Sequence, residues 1–285
     1  METDTILNET TVKLRKADST ARRRKTSFPI TWSILALPLV LFFTIPILAI
    51  FLKTPLAGLL QTLNDAQTRQ AISLSLFTSA ATTLLSIVLG TPVAMLLSSK
   101  TPAYQYLDTL LDLPTVLPPS VAGIALLMAF GRKGIFGSLF TAMGVNIPFT
   151  VLAVIMAQTF VASSYYIKAA YLGFSAVSLD LKQAAALDGA NRWHIFWRIT
   201  MPMSWSSLLS GAVMTWARSL GEFGATIIFA GNFPGRTQTM PLAIYIGFQI
   251  DLNVALTLAV ILIAFSFLTL IIVKGFLGKR LETND

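Results

Sequence analysis

Two oppositely charged residues, Arg218 and Glu222, stand four positions apart inside a long apolar stretch of the sequence. On a helix, this spacing puts both side chains on one face. Charges within a membrane are costly, so they usually face a bundle interior or a cavity and pair with each other. The pair could neutralise a contact between helices, or it could line a path on which Arg218 offers a partner to an anion. We favour the structural role for Glu222 and leave Arg218 open between the two.

Other chemically reactive groups are scarce. The 285 residues include no cysteine and one histidine, His194. Thiol nucleophiles and disulfides are therefore excluded, and so is a multi-histidine metal site within one chain. We find no HExxH motif and no histidine-based triad, and we interpret His194 as an ordinary interface or surface residue. The sequence predicts a protein that is not an enzyme and that needs no cofactor.

The composition is typical of a protein that crosses a membrane several times. Hydrophobic residues make up 54% of the chain and charged residues 12%, and the mean hydropathy is +0.71. A soluble domain normally carries about twice that charged fraction. A spanning helix needs about 20 apolar residues. We therefore expect an all-α polytopic membrane protein with about six transmembrane helices, at 26–52, 70–99, 113–131, 134–167, 204–230 and 252–273.

The basic residues are distributed unevenly between the predicted loops. If the N-terminus is cytoplasmic, fifteen of the 21 lysines and arginines fall on the cytoplasmic side and five outside. The positive-inside rule then predicts that both termini are cytoplasmic, and it accounts for the net charge of +8 without nucleic acid. We expect a disordered cytoplasmic tail at 1–27, a membrane domain at 28–275 and a short cytoplasmic tail at 276–285.

The sequence PTVLPPSVAG, residues 114–123, interrupts the third apolar segment. Pro114, Pro118 and Pro119 cannot all lie within a regular helix interior without cost. Irregular backbone at membrane depth is tolerated only where protein or a water-filled cavity satisfies it. The stretch could be a simple loop at the mouth of the third span. It could equally be a broken helix start that shapes a gate, which would include Ser120.

The second apolar segment carries small and hydroxyl-bearing residues at every fourth position: Thr78, Thr82, Ser86 and Gly90. Such a stripe lets membrane helices approach each other closely. The alternative is a path for a polar solute lined by hydroxyl groups. We favour helix packing.

The polar stretch 169–203 between the fourth and fifth apolar segments favours short helices. Ser178 is a plausible N-cap and Gly189 a plausible C-terminal breaker. A second helix is expected from about 191 to 200, with an apolar surface formed by Trp193, Ile195, Phe196 and Trp197. Such a surface needs a partner, which could be the protein's own membrane domain, the lipid surface or a groove of another protein.

Several residues of this stretch have a distinctive spacing: Gln183, Ala184, Ala185, Gly189, Ile199, Met201 and Pro202. The spacing resembles the EAA motif of permease subunits in ABC importers, which reads Glu-Ala-Ala, three residues, Gly, nine residues, Ile-x-Leu-Pro. Gln183 replaces the motif's Glu, and Met201 replaces its Leu. The resemblance implies that these residues couple the chain to a separate ATPase. Glutamine keeps the docking shape but lacks the charge for a salt bridge.

Longer segments, from about 70 to 275, resemble the molybdate permease family, including RSLGEFGATIIFAGNFPGRTQTMPLAIY. The resemblance implies the permease subunit of an ATP-driven oxyanion importer that works by alternating access. Molybdate is the expected substrate, and tungstate or sulfate and thiosulfate are the alternatives.

This resemblance also implies partners and a location. Two copies would form the pore, with two cytoplasmic ATP-binding subunits and an extracytoplasmic oxyanion-binding protein. The protein would be located in the inner membrane of a bacterium or archaeon. The alternative from another class is a secondary transporter or channel that needs no ATPase.

Overall fold

The computed structural model describes residues 30–99, 101 and 103–281. The described residues form helices and loops, with no strand among them, as the apolar segments predict. The predicted tail at 1–27 lies outside the described residues. At the other end, the last helix continues to Leu281, beyond the predicted end of the membrane domain at 275.

The chain divides into two compact units between Ala49 and Ile50. The described part of the first unit is most of helix α1, Ile30–Lys53, whose last residues belong to the second unit. Pro38 and Pro46 lie inside α1. Each removes a backbone donor from the helix interior, which favours a bend there.

The second unit contains the remaining helices. In chain order these are α2 Leu56–Asn64, α3 Ala66–Ser98, α4 Ala103–Val116, α5 Pro119–Phe130, α6 Gly137–Ala142, α7 Val151–Ala176, α8 Leu179–Leu187, α9 Arg192–Ile195, α10 Met201–Met203, α11 Trp205–Leu220, α12 Gly224–Phe229, α13 Met240–Ile250 and α14 Leu252–Leu281. One π-helical turn, Phe196–Thr200, connects α9 to α10.

Four of the described helices are long and apolar enough to cross a membrane, namely α1, α3, α7 and α14. The predicted third span, 113–131, contains the end of α4 and all of α5, and these two helices are bent by 116° at the break between them. The predicted fifth span is also broken, because α11 ends at Leu220 and α12 begins at Gly224. The described part of the chain therefore does not contain six continuous spanning helices. That the broken third and fifth segments also cross the membrane stays a prediction.

The predicted fourth span, 134–167, has the wrong boundaries. The short helix α6 and a loop occupy its first part, and α7 begins only at Val151. Gly144 and Phe149 have φ of 70° and 63°, a left-handed conformation that does not continue an α-helix. Thr150 then caps α7 by accepting a hydrogen bond from Ala153 N at 3.3 Å. Because α7 runs to Ala176, the polar insert before α11 starts later than the predicted 169.

Helices α3, α7 and α11 pack closely through small residues. A Cβ added at Gly90 of α3 would lie 2.9 Å from Ile167 of α7, and one added at Gly211 of α11 would lie 2.7 Å from Ala169. Thr82 Oγ1 donates a hydrogen bond to the buried Gln158 Oε1 at 3.1 Å. The whole predicted stripe is buried against these neighbours: Thr78, Thr82, Ser86 and Gly90. The packing interpretation of the stripe is confirmed.

Candidate functional site

The first helix break lies between α4 and α5 and is made by prolines. Pro118 occupies the N-cap position of α5, with φ −54° and ψ 134°, and Pro119 is the first helical residue. Proline suits this position because its missing N–H would have no partner within the helix. Only Leu117 and Pro118 separate the two helices, so the stretch is a sharp helix break rather than a simple loop.

The second break lies between α11 and α12 and is held by a charged side chain. Glu222 Oε2 accepts a hydrogen bond from Arg218 Nη1 at 2.7 Å, and Glu222 Oε1 accepts one from Ala225 N at 2.8 Å. The carboxylate therefore satisfies a backbone donor at the start of α12, where negative charge is also favoured. Its side chain is 1% exposed, while that of Arg218 is 30% exposed.

The predicted pairing of Arg218 with Glu222 is thus confirmed, but its setting differs from the prediction. Arg218 belongs to the last turn of α11, whereas Glu222 lies beyond the end of that helix. The two residues do not share a continuous helix face. Both carboxylate oxygens of Glu222 have partners, which agrees with a structural role for this residue.

The two breaks meet in space. A Cβ added at Gly224 would lie 2.7 Å from Pro119 Cβ, and one added at Gly123 would lie 2.7 Å from Ile228 Cβ and 2.9 Å from Ala225 O. The backbones of α5 and α12 therefore approach as closely as glycine allows. We call residues 118–123 and 221–228 the break junction. It contains Pro118, Pro119, Ser120 and Glu222, and Arg218 is hydrogen-bonded to it.

Pro114 has different surroundings from the other predicted gate residues. It lies inside α4 and lines an apolar cavity of about 640 Å³ together with Leu110, Leu117 and Met156. An apolar cavity offers little to an oxyanion, because a buried charge needs hydrogen bonds or a counter-charge. The surroundings of Pro114 are therefore apolar and do not suit an oxyanion, whereas the charged side chain of Arg218 does.

A second charged cluster, which the sequence analysis missed, joins α4 to α7. Lys168 Nζ donates hydrogen bonds to Asp108 at 2.5 Å and to Asp112 at 2.9 Å. Ser164 Oγ donates to Leu111 O at 2.6 Å in the same contact. The predicted fourth span ends at 167, just before Lys168, whereas α7 continues past Lys168 to Ala176. The two aspartates are four residues apart, a spacing that indicates a shared helix face but does not indicate Lys168 as its partner.

The insert between α7 and α11, residues 177–204, begins with the predicted short helix. Ser178 Oγ accepts a hydrogen bond from Leu181 N at 3.2 Å and so caps α8. Gly189 has φ of 88°, and Ala190 N donates to Ala185 O at 3.0 Å across this turn. Both the N-cap and the glycine breaker are confirmed. Gly189 is suited to this position because the left-handed region is unfavourable for other residues.

Helix α8 is attached to the membrane helices by a lysine. Lys182 Nζ donates a hydrogen bond to Phe174 O at 3.1 Å, near the C-terminus of α7. Carbonyl groups at a helix C-terminus have no partner within the helix, and a cation is favoured there. Burial lowers the pKa of Lys182.

The residues at the EAA positions are accessible. No residue of α8 is buried, and Leu187 is 89% exposed. Gln183 and Ala184 are exposed, and Ala185 is half-buried. An uncovered helix that carries exposed leucines is suited to contact another molecule.

The second half of the insert is more closely attached. Asn191 Oδ1 accepts a hydrogen bond from His194 N at 2.8 Å and caps α9, and His194 is exposed. The predicted helix at 191–200 is found as α9 followed by the π-helical turn. Phe196 packs edge-on against Phe174, with 5.9 Å between ring centroids. Of the remaining motif positions, Ile199 is half-buried and Pro202 is exposed.

Comparison with protein families gives one match over most of the chain. The model described as "Binding-protein-dependent transport system inner membrane component" matches residues 86–282. The matched region includes both helix breaks and the whole insert.

Several curated proteins are similar over most of their own length. The probable transport system permease protein NifC of Clostridium pasteurianum is 38% identical over 80% of this chain and 81% of its own. The molybdenum transport system permease protein ModB of Mycobacterium tuberculosis is 37% identical, over 81% and 88%. The molybdate/tungstate transport system permease protein WtpB of Thermococcus kodakarensis is 33% identical, over 85% and 93%.

Solved structures show the same fold at lower identity. A chain of a bacterial alginate ABC transporter, crystallised with an alginate pentasaccharide-bound periplasmic protein, superposes with a TM-score of 0.66. It is 16% identical and covers 86% of this chain and 91% of its own. A chain of the MetNI methionine ABC transporter, in an inward-facing conformation, gives a TM-score of 0.56 at 16% identity, over 75% and 98%.

Proposed function

Since the chain belongs to the family of binding-protein-dependent transport system inner membrane components, we propose that it is the permease subunit of an ATP-driven molybdate importer. One observation supports this substrate above others: relatives that match most of the chain are named molybdenum permeases. Tungstate is the second candidate, because the similar WtpB is named for both oxyanions. Sulfate or thiosulfate would keep the same mechanism with another anion.

We propose that the break junction is the gate of the translocation path. Pro118, Pro119 and Ser120 form one side, and residues 221–224 form the other. Because α5 and α12 touch through glycines, a shift of α12 must change this contact with α5. Broken helices supply the hinges that alternating access needs, and Pro114 would help to bend α4.

Arg218 is the residue we propose for contact with the oxyanion. A guanidinium group has five N–H donors, and its bond to Glu222 comes from Nη1. The side chain is partly exposed, unlike that of Glu222. Planar donors of this kind suit oxyanions. Glu222 keeps the arginine in place and caps α12.

We propose that the insert couples transport to a separate ATPase. The contact would be centred on Gln183, Ala184, Ala185 and Gly189, with Ile199 and Pro202 fixing the return of the chain to α11. The exposure of α8 supports this proposal. In this proposal the chain lies in the inner membrane, with the insert and both termini on the cytoplasmic side. The complete transporter would contain a homodimer of permeases, two ATP-binding subunits and an extracytoplasmic binding protein.

Substrate choice is tested by reconstituting the transporter in liposomes with its ATPase and its binding protein. We expect molybdate to stimulate ATP hydrolysis and to accumulate inside. Stimulation by sulfate but not molybdate would overturn the substrate. Uptake by this chain alone, without an ATPase, would overturn the importer class in favour of a secondary transporter.

Coupling is tested by substitutions in α8 and in the turn that follows it. Leu187→Asp and Gly189→Val should remove the ATPase from the purified complex while the chain still inserts into the membrane. Gln249→Asp, at an exposed position of α13, is the matched control and should retain the ATPase. Gln183→Glu restores the charge of the motif. A changed ratio of transport to hydrolysis in this variant would show that the charge contributes to coupling, whereas an unchanged ratio would show that shape suffices.

A further inference from the structure

The two halves of the insert differ in chemistry. Residues 178–190 contain Asp180, Lys182 and Asp188, with no aromatic residue, and carry a net charge of −1. Residues 191–203 contain two arginines, two tryptophans and a phenylalanine, with no carboxylate, and carry a net charge of +2 when His194 is neutral. A single docking groove would have to accommodate both surfaces. Two partners of different chemistry fit them better.

The three aromatic residues of the second half contact one another but differ in their exposure. Phe196 points inward onto Phe174, and the following Thr200 is buried. Trp193 and Trp197 contact each other with 5.7 Å between ring centroids, yet they are 68% and 46% exposed. Phe196 therefore fixes the segment on the membrane helices, and the two indole rings remain uncovered.

This segment leads directly into α11, which is part of the fifth predicted span. Trp205, at the start of α11, is 47% exposed. Three of the chain's five tryptophans therefore lie within 193–205, and all three are exposed. Tryptophan is enriched where a membrane meets water, because its ring is apolar and its N–H is polar. Arginine beside it can extend its charge to the headgroups while its stem stays in apolar surroundings.

We infer that Trp193, Trp197, Arg192 and Arg198 bind anionic phospholipid at the membrane surface, and that within the insert only residues 178–190 contact the ATPase. The charge of this surface is complementary to anionic headgroups. Each arginine should strengthen attachment to such a surface about five-fold. The inference rests on the proposed function, which places the insert beside the cytoplasmic leaflet. Its effect would be to hold one end of the insert while α8 follows the ATPase.

The test uses the whole transporter in nanodiscs whose phosphatidylglycerol or phosphatidylcholine carries brominated chains, which quench nearby tryptophans. The double variant Trp193→Phe/Trp197→Phe identifies the quenching that belongs to these two rings. We expect quenching of this component, stronger by several-fold with brominated phosphatidylglycerol. In the double variant Arg192→Gln/Arg198→Gln, the stronger quenching by brominated phosphatidylglycerol should disappear. The control Arg236→Gln, an exposed arginine outside the insert, should keep it.

Two results would overturn the inference. One is an equal extent of quenching in the wild-type protein and the double tryptophan variant. The other is loss of the ATPase from Trp193→Ala/Trp197→Ala, which would assign the rings to the ATPase groove. Quenching requires neither ATP nor substrate. A failure of molybdate transport would therefore leave this measurement intact, and the two proposals can fail separately.

Discussion

The chain breaks two of its apolar segments, and it makes the two breaks in different ways. Between α4 and α5 the break is caused by the covalent structure of proline: Pro118 and Pro119 lack an N–H donor, and their rings fix φ. Between α11 and α12 no proline is present. There a side chain, Glu222, accepts the hydrogen bond of Ala225 N and pairs with Arg218. The first break needs no partner, whereas the second depends on one carboxylate.

This difference has a consequence for movement. The proline break persists whatever surrounds it, because Pro118 and Pro119 have no N–H with which to continue α4. The helices α4 and α5 therefore remain separate in any state. The carboxylate break can rearrange if Glu222 exchanges either of its partners. Because the two breaks touch at Gly224, we expect the α11–α12 side of the junction to change between conformations and the α4–α5 side to act as its fixed support.

The largest effect is expected for Glu222→Ala. Removing one member of a buried ion pair costs roughly 3–5 kcal/mol, and the partial exposure of Arg218 places this variant near the lower end of that range. Thermal unfolding of the transporter in detergent measures the loss. Glu222→Gln should lose less, because its amide oxygen can still accept from Ala225 N. If Glu222→Ala unfolds at the wild-type temperature, the second break supports itself as the first one does, and the comparison fails.

The next effect concerns the contact between the breaks. Gly123→Ala would bring a methyl group against the backbone of Ala225, and Gly224→Ala would bring one against Pro119. Overpacking of this kind costs about 1–3 kcal/mol of stability. Transport should also fall, because α5 and α12 must move apart to accommodate the added methyl group. Gly123→Ala should be the more severe, since its methyl group would come within 3.0 Å of both Ile228 Cβ and Ala225 O, whereas that of Gly224→Ala would come so close only to Pro119 Cβ. Unfolding temperature and molybdate uptake are measured together.

A matched control for these glycines lies within the second break. A Cβ added at Gly221 would meet only Ala217 O, at 3.8 Å, which is an ordinary contact. Gly221→Ala should therefore keep both stability and transport. Equal damage from all three alanine variants would mean that chain flexibility, rather than close approach, is what these glycines provide.

Features fixed by local chemistry could be predicted from the sequence. The prolines predicted irregular backbone at 114–119 but left a simple loop and a broken helix equally open, and the structure has the broken helix. The Ser178 cap and the Gly189 turn each depend on one residue type whose backbone preference is strong. The pairing of Arg218 with Glu222 followed from spacing and from the cost of unpaired charge. Their confirmation shows that short-range constraints in this chain agree with its fold.

Features that depend on tertiary packing could not be predicted in the same way. Gly221 and Glu222 are both tolerated within helices, so the local sequence allows a break at 221–223 without requiring one. Lys168 and its aspartates are more than fifty residues apart in sequence, and only the packing of α4 on α7 brings them together. The start of α7 was misplaced because residues 134–150 are apolar enough for a helix, while their positive φ angles are not visible in composition.

The smallest effect is expected at the prolines of the first break. Pro118→Ala should change stability by only about 0.4–1 kcal/mol, because its main effect is on the freedom of the unfolded chain. Pro119 and the packed Gly123 would still separate α5 from α4. Ser120→Ala, at an exposed position, serves as the control and should unfold at the wild-type temperature. A loss at Pro118 as large as that at Glu222 would show that the proline break also depends on its surroundings. The α4–α5 side could then no longer be regarded as the fixed half of the junction.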